Sequence, residues 1–187
     1  PALSRRDLLA ASAAGILMPS LALGKINADR KRVLRIAHLT DIHVQPEKGA
    51  PEGMEAALLH ALGQKDKPDL VFTGGDLIMD ALGQTRERTK TQWDLFTKVM
   101  GGVKIPVEHT IGNHDVWGWG RRDVYSKEPE YGKKWACDVL SLAKPYRSFD
   151  RAGWHFIVLD STFMKEGSGY TAKLDDEQFE WLAGDLK

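Results

Sequence analysis

Residues 110–120 read TIGNHDVWGWG, which sets an asparagine, a histidine and an aspartate between the end of an apolar run and a loop of glycines and tryptophans. The run before them, IPVEHTIG at 105–112, reads as a strand, so the three polar residues sit where that strand stops. Two earlier stretches are built the same way. VLRIAHLT (33–40) runs into Asp41-Ile42-His43, and DLVFTGG (69–75) runs into Asp76. Each is followed by helical spacing: Met54, Leu58, Leu59 and Leu62 within 52–65, then Trp93, Phe96 and Met100 within 89–101. Strands alternating with helices predict right-handed crossovers and parallel pairing. All three polar tips then share one edge of one sheet, the edge at which open α/β sheets bind ligands.

Beyond the Gly/Trp loop, 130–143 reads as a helix and 146–160 as two strands joined by a turn at Asp150–Gly153, ending in a fourth polar tip, Asp160-Ser161. Residues 174–187 form a last amphipathic helix with Asp175 as its cap. The first residues are of another kind. Arg5 and Arg6 precede a short apolar stretch that closes in small residues, Ala22 and Gly24, so 1–24 reads as a signal peptide of the twin-arginine type and 25–32 as a polar, basic linker. The stretch is shorter than the roughly 20 residues of a stable membrane span. The domain is expected over 33–187, and the location outside the cytoplasm, in the periplasm or beyond, by way of the twin-arginine export machinery.

Composition narrows the partners. Of 187 residues, 42% are hydrophobic and 28% charged, an ordinary globular balance, and 26 basic residues cancel 26 acidic ones. No net field draws the chain to nucleic acid, so none is expected as a partner. Cys137 is the single cysteine, which rules out an intrachain disulfide and a cysteine-rich zinc site and leaves it as a small apolar residue.

Carboxylate, imidazole and amide side chains at shared strand tips are all able to bind a cation. Asp41-X-His43, then Gly75-Asp76, then Gly112-Asn113-His114-Asp115, in that order, resemble the calcineurin-like metallophosphoesterase superfamily from about Val33 onward, and Leu174, Gln178, Trp181 and Leu182 resemble its following helix. The resemblance implies an α/β fold, a two-sheet β-sandwich flanked by helices, and two metal ions, iron, manganese or zinc. It implies that Asp41 and His43 bind the first metal, that Asp76 bridges both and that Asn113 binds the second. His114 is then no ligand but a proton donor at the scissile phosphate, with Asp115 fixing its tautomer. Two cations are needed because a phosphodiester repels an anionic nucleophile; a pair about 3.5–4 Å apart offsets that charge and acidifies a water. The substrate implied is a small phosphodiester or phosphomonoester.

Departures narrow the branch. Met79 stands where purple acid phosphatases have a tyrosine ligand, His43 where they have glycine, and LIMDALG (77–83) where phosphoprotein phosphatases have Val-Asp-Arg-Gly, so the cyclic-nucleotide phosphodiesterase type is nearer. The further Gly-His and Gly-His-X-His ligands of such enzymes do not occur, and His155 cannot replace them because it lies inside a strand. The chain is therefore expected to be the N-terminal part of the domain, its last strands missing, with weak metal retention and little turnover. Two rivals are a metal- or nucleotide-binding module without turnover and a nuclease of the same superfamily, the latter disfavoured by the zero net charge. His38, His60 and His109 read as structural, Asp160 and Ser161 as supporting residues, Arg121 and Arg122 as solvated, and Trp117 and Trp119 as lid packing before a stacking platform.

Overall fold

In the computed structural model the described residues are 32–187, so the signal peptide and all but the last residue of the linker lie outside them. Strands β1 (Ile36–Leu39), β2 (Leu70–Thr73) and β3 (Val107–His109) form one parallel sheet in the order β1-β2-β3. Ala37, Val71 and Val107 are in register across it. The crossovers are helix α1 (Ala50–Leu62) and helix α2 (Arg86–Met100), as the strand and helix spacings predict. Helix α2 starts where Thr85 Oγ accepts the Arg88 N–H at 3.2 Å, carries Glu87 in its first turn and ends at Gly101. Met54 and Leu58 of α1 and Trp93 and Phe96 of α2 close over the sheet, joining Val71 and the loop residues Val44, Leu77 and Ile78 in one core. Truncating an aromatic buried like Trp93 costs about 3–5 kcal/mol.

Next come two short helices, α3 (Arg122–Tyr125), inside the stretch read as loop, and α4 (Lys134–Val139), shorter than the expected 130–143, then, as expected, the hairpin of β4 (Arg147–Arg151) and β5 (Trp154–Val158). A second hairpin, β6 (Thr162–Met164) with β7 (Tyr170–Ala172), is new: its strands are too short for an alternation to register. Helix α5 (Asp176–Asp185) begins at Asp175, whose carboxylate accepts the Gln178 N–H at 3.0 Å. The fold is thus mixed α/β. Phe149 of β4 stacks on Phe156 of β5, centroids 4.9 Å apart, and on Phe72 of β2 at 6.3 Å, so one hairpin face meets the parallel sheet. Arg147 of β4 adds an ion pair to Glu108 of β3 at 2.7 Å.

Several isolated residues have plain roles. Cys137 is a half-buried free thiol whose pKa burial raises, so it stays protonated and inert. His60 is exposed beside Gln64. His109 packs against Phe96 and meets Thr73 Oγ at 2.9 Å through Nδ1. Burial, and then the charge of Arg147, pushes its pKa down to about 4. Unfolded His109 takes a proton near pH 6.5 and the folded ring only near 4, so stability falls by about 3 kcal/mol as pH drops through that window. The ring signals in an NMR titration should stay those of neutral imidazole down to about pH 4; a midpoint near 6.5 overturns this.

Among the described residues no helix is long and apolar enough to cross a membrane.

Candidate metal centre

The loops after β1 and β2 run on together past the ends of the strands. Asp41 N–H donates to the Gly75 carbonyl at 3.1 Å, His43 N–H to Asp76 at 3.0 Å and Val44 N–H to Leu77 at 3.1 Å. This pairing carries Asp41, His43 and Asp76 side by side at the tip of the sheet. All three have left-handed backbones, with φ of 53°, 49° and 50°. That region is uncommon for side chains other than glycine, although Asp and His are enriched there, and it costs of order 1–2 kcal/mol per residue. Strain concentrated on three adjacent polar residues is a mark of a functional site.

The third tip turns sharply. Residues Asn113–Asp115 form a single 3-10 turn after Gly112. Its position is set from below by Asp115, which is fully buried and accepts three backbone N–H groups: Leu77 at 2.8 Å and Ile78 at 3.1 Å on Oδ1, and Gly112 at 2.8 Å on Oδ2. One carboxylate therefore fastens the Asp76 loop to the Asn113 turn. Burial pushes its pKa up to about 7 while those backbone donors pull the other way. The expectation that Asp115 fixes the His114 tautomer is corrected here. His114 Nδ1 instead faces the Met79 carbonyl at 2.6 Å. A carbonyl only accepts, so Nδ1 carries the hydrogen and Nε2 is left for other chemistry. Sequence reasoning missed this because the partner is a backbone atom, which no residue identity announces.

The result is convergence. One donor atom each from His43, Asp76 and His114 lies within 4.8 Å of the others. His43 Nε2 is 3.9 Å from both Asp41 Oδ1 and Asp76 Oδ2, too far to hydrogen-bond. Two ligands about 2.1 Å from a shared ion stand at most about 4.2 Å apart, so the two 3.9 Å separations from His43 Nε2 suit a cation between it and the carboxylates. His43 Nδ1 is buried with no hydrogen-bond partner, and a ring with neither nitrogen satisfied by protein is one whose lone pair is open to a metal. Asp76 Oδ1 accepts the His114 N–H at 3.0 Å, and Thr40 Oγ donates to Asp41 Oδ2 at 2.6 Å, which orients both carboxylates. The donor set of carboxylate oxygen and imidazole nitrogen without sulfur fits iron, manganese or zinc. Asn113 stands beside His114 at the start of the turn.

The sequence model of calcineurin-like phosphoesterases matches residues 34–184. The chain belongs to the calcineurin-like phosphoesterase family. Among solved structures, a dimetal phosphatase from Danio rerio is similar, with 17% identity and a TM-score of 0.40 over 52% of this chain and 35% of that one. No curated protein matches. This phosphoesterase chain thus spans about a third of the length of that structural relative.

Other residues of the phosphoesterase domain named from the sequence are support. Trp117 is fully buried against Tyr125 and Trp135, with its Nε1 donating to the Gln84 carbonyl at 3.1 Å, so it belongs to the core and offers no stacking face. Trp119 is nearly buried, and Lys133 lies over its ring. Lys133 also pairs with buried Asp160, whose backbone N–H and carbonyl are both taken by the Gln178 amide at 2.7 and 2.9 Å. Asp160 is thus a joint between α5 and the end of β5, as its supporting role implied. Arg121 and Arg122 are exposed.

Proposed function

We propose that this protein is an exported, metal-dependent phosphoester hydrolase that uses a dinuclear metal centre on small phosphodiesters or phosphomonoesters. The observation that carries the reading is the convergence of His43, Asp76 and His114 at the sheet edge, within 4.8 Å. Asp41, His43, Asp76 and Asn113 would hold the ions. Bound there, divalent ions supply positive charge to the phosphoryl group and acidify a water. Without cations the edge carries the carboxylates of Asp41 and Asp76 and repels a phosphoester, so the acidic residues favour a reaction that runs only with metal.

The protein's own part is positioning and proton supply. The Met79 carbonyl holds the imidazole of His114, on a turn that Asp115 fastens through the Gly112 N–H, which leaves Nε2 to give a proton to the departing alkoxide oxygen. The same closeness favours a second reading in which His114 Nε2 is itself a ligand. The two separate cleanly. As a proton donor, His114→Ala lowers turnover on poor leaving groups by about 10²- to 10⁴-fold with metal content unchanged; as a ligand, it lowers metal content and turnover together. Turnover and metal, the latter by mass spectrometry, are measured on the same samples.

For the full-length protein, hydrolysis of a chromogenic phosphodiester is expected with Mn²⁺, Fe²⁺ or Zn²⁺ and is abolished by a chelator. The measurement is made on this chain and on the longer natural chain wherever its gene continues past Lys187. Metal uptake without turnover on either would support the binding-module reading. The zero net charge supports a small substrate over nucleic acid. Export through the twin-arginine machinery to the periplasm rests on Arg5, Arg6 and the apolar run after them. The cyclic-nucleotide branch rests on Met79 and His43; cyclic nucleotides tested beside phosphomonoesters decide it.

A further inference from the structure

Away from the metal centre, His155 is enclosed in a carboxylate pair. It lies on β5 directly across from Asp150 of β4, and its Nδ1 is 2.8 Å from Asp150 Oδ1. Its Nε2 is 2.8 Å from Asp185 Oδ2, at the last turn of α5. The other oxygen of Asp185 accepts the Ser148 hydroxyl at 2.6 Å. Alternation puts Ser148, Asp150 and His155 on one face of the hairpin, opposite the Phe149 and Phe156 face that meets the parallel sheet.

A carboxylate oxygen only accepts when ionised, so both contacts are hydrogen bonds only while both ring nitrogens carry hydrogen, in the imidazolium. Neutral imidazole has one N–H, and one carboxylate would then face a lone pair. The charged groups facing the ring are Asp150 from β4 and Asp185 from α5. Asp185 is the more enclosed carboxylate, its side chain 16% exposed against 82% for Asp150.

We propose that His155 is a proton-operated clasp: protonated, it fastens the end of α5 to the β4–β5 hairpin through Asp185, and deprotonated it lets that end loosen. The Tyr146–Trp181 contact and the Gln178–Asp160 amide pairing hold the start and middle of α5 independently, so the loosening is confined to its last turn. The same two carboxylates, Asp185 first, raise the pKa of His155, while Ser148 and then His155 lower that of Asp185. The signs follow. The raised histidine contributes fully below about pH 6.5 and is lost as pH rises through its folded pKa; the lowered carboxylate contributes above about 3.8 and is lost as pH falls through its own. The clasp is closed between these limits.

The test is amide hydrogen exchange of residues 182–187 against pH, corrected for the intrinsic rate, with the His155 ring followed by NMR. Protection is expected to fall about three- to tenfold as His155 deprotonates, with its midpoint on the ring's titration, while the amides at 176–179 keep theirs. His155→Gln, which keeps one donor and cannot charge, should show the low protection at every pH. Circular dichroism confirms that this variant folds. If wild-type protection at 182–187 does not follow the ring's titration, or if His155→Gln matches the wild type at its most protected pH, the clasp is overturned. Should the variant not fold, the wild-type titration alone decides.

Discussion

Replacing Gly112 with alanine is expected to cost about 10- to 100-fold in metal affinity. Its φ is −96°, which any residue adopts, so the requirement is for space. A Cβ there would overlap the Asp76 carboxylate oxygen and backbone nitrogen and come within 2.8 Å of Cγ. Neither can yield cheaply, because Asp76 is already in the left-handed region and its Oδ1 holds the His114 N–H. Gly75 faces the same junction: its φ is 91° and a Cβ would come 2.7 Å from Gly112 N. The two loops therefore touch backbone to backbone. Calorimetric titration with Mn²⁺ or Zn²⁺ measures the loss. A Gly112→Ala protein that folds and binds metal as the wild type does would show that Asp76 is not held as described.

Removing the buried Asp115 carboxylate is expected to lower stability by about 4 kcal/mol, because Asp115→Ala strands the N–H groups of Leu77, Ile78 and Gly112 away from water. Asp115→Asn keeps the shape, and its amide oxygen can serve Leu77 and Ile78. Its NH₂ then meets the Gly112 N–H, donor against donor, and a loss of about 2 kcal/mol is expected. Urea midpoints compare the three proteins. An alanine variant within about 1 kcal/mol of the wild type would mean that the loops keep their places without this joint. Domains of this size have only about 5–15 kcal/mol to lose, so the alanine change is among the largest single effects available.

Much of the architecture was legible because it rests on local rules. Alternation of apolar strands with apolar-faced helices dictated parallel pairing of β1, β2 and β3, and Gly-Asp, Asp-X-His and Asn-His at three strand ends dictated a shared polar edge. The short β6–β7 hairpin was not legible, since strands of three residues carry no usable period. Trp117 was legible only as an aromatic in a loop. Its burial depends on Trp135 and Tyr125, which approach it only in the folded chain.

The division between the two levels is sharpest at Asn113-His114-Asp115. The order of residues determined which side chains reach the sheet edge, because strand periodicity and crossover handedness are set by backbone sterics that every sequence obeys. It also determined the chemistry on offer, oxygen and nitrogen donors without sulfur. Tertiary structure decided what each neighbour does. It turned Asp115 inward onto Leu77, Ile78 and Gly112, and gave His114 the Met79 carbonyl as its partner. It also placed His155 between carboxylates from two elements. Apart from Asp115–Gly112 and His155–Asp150, those contacts join residues 30 or more positions apart, and none of them is written in the identity of adjacent residues.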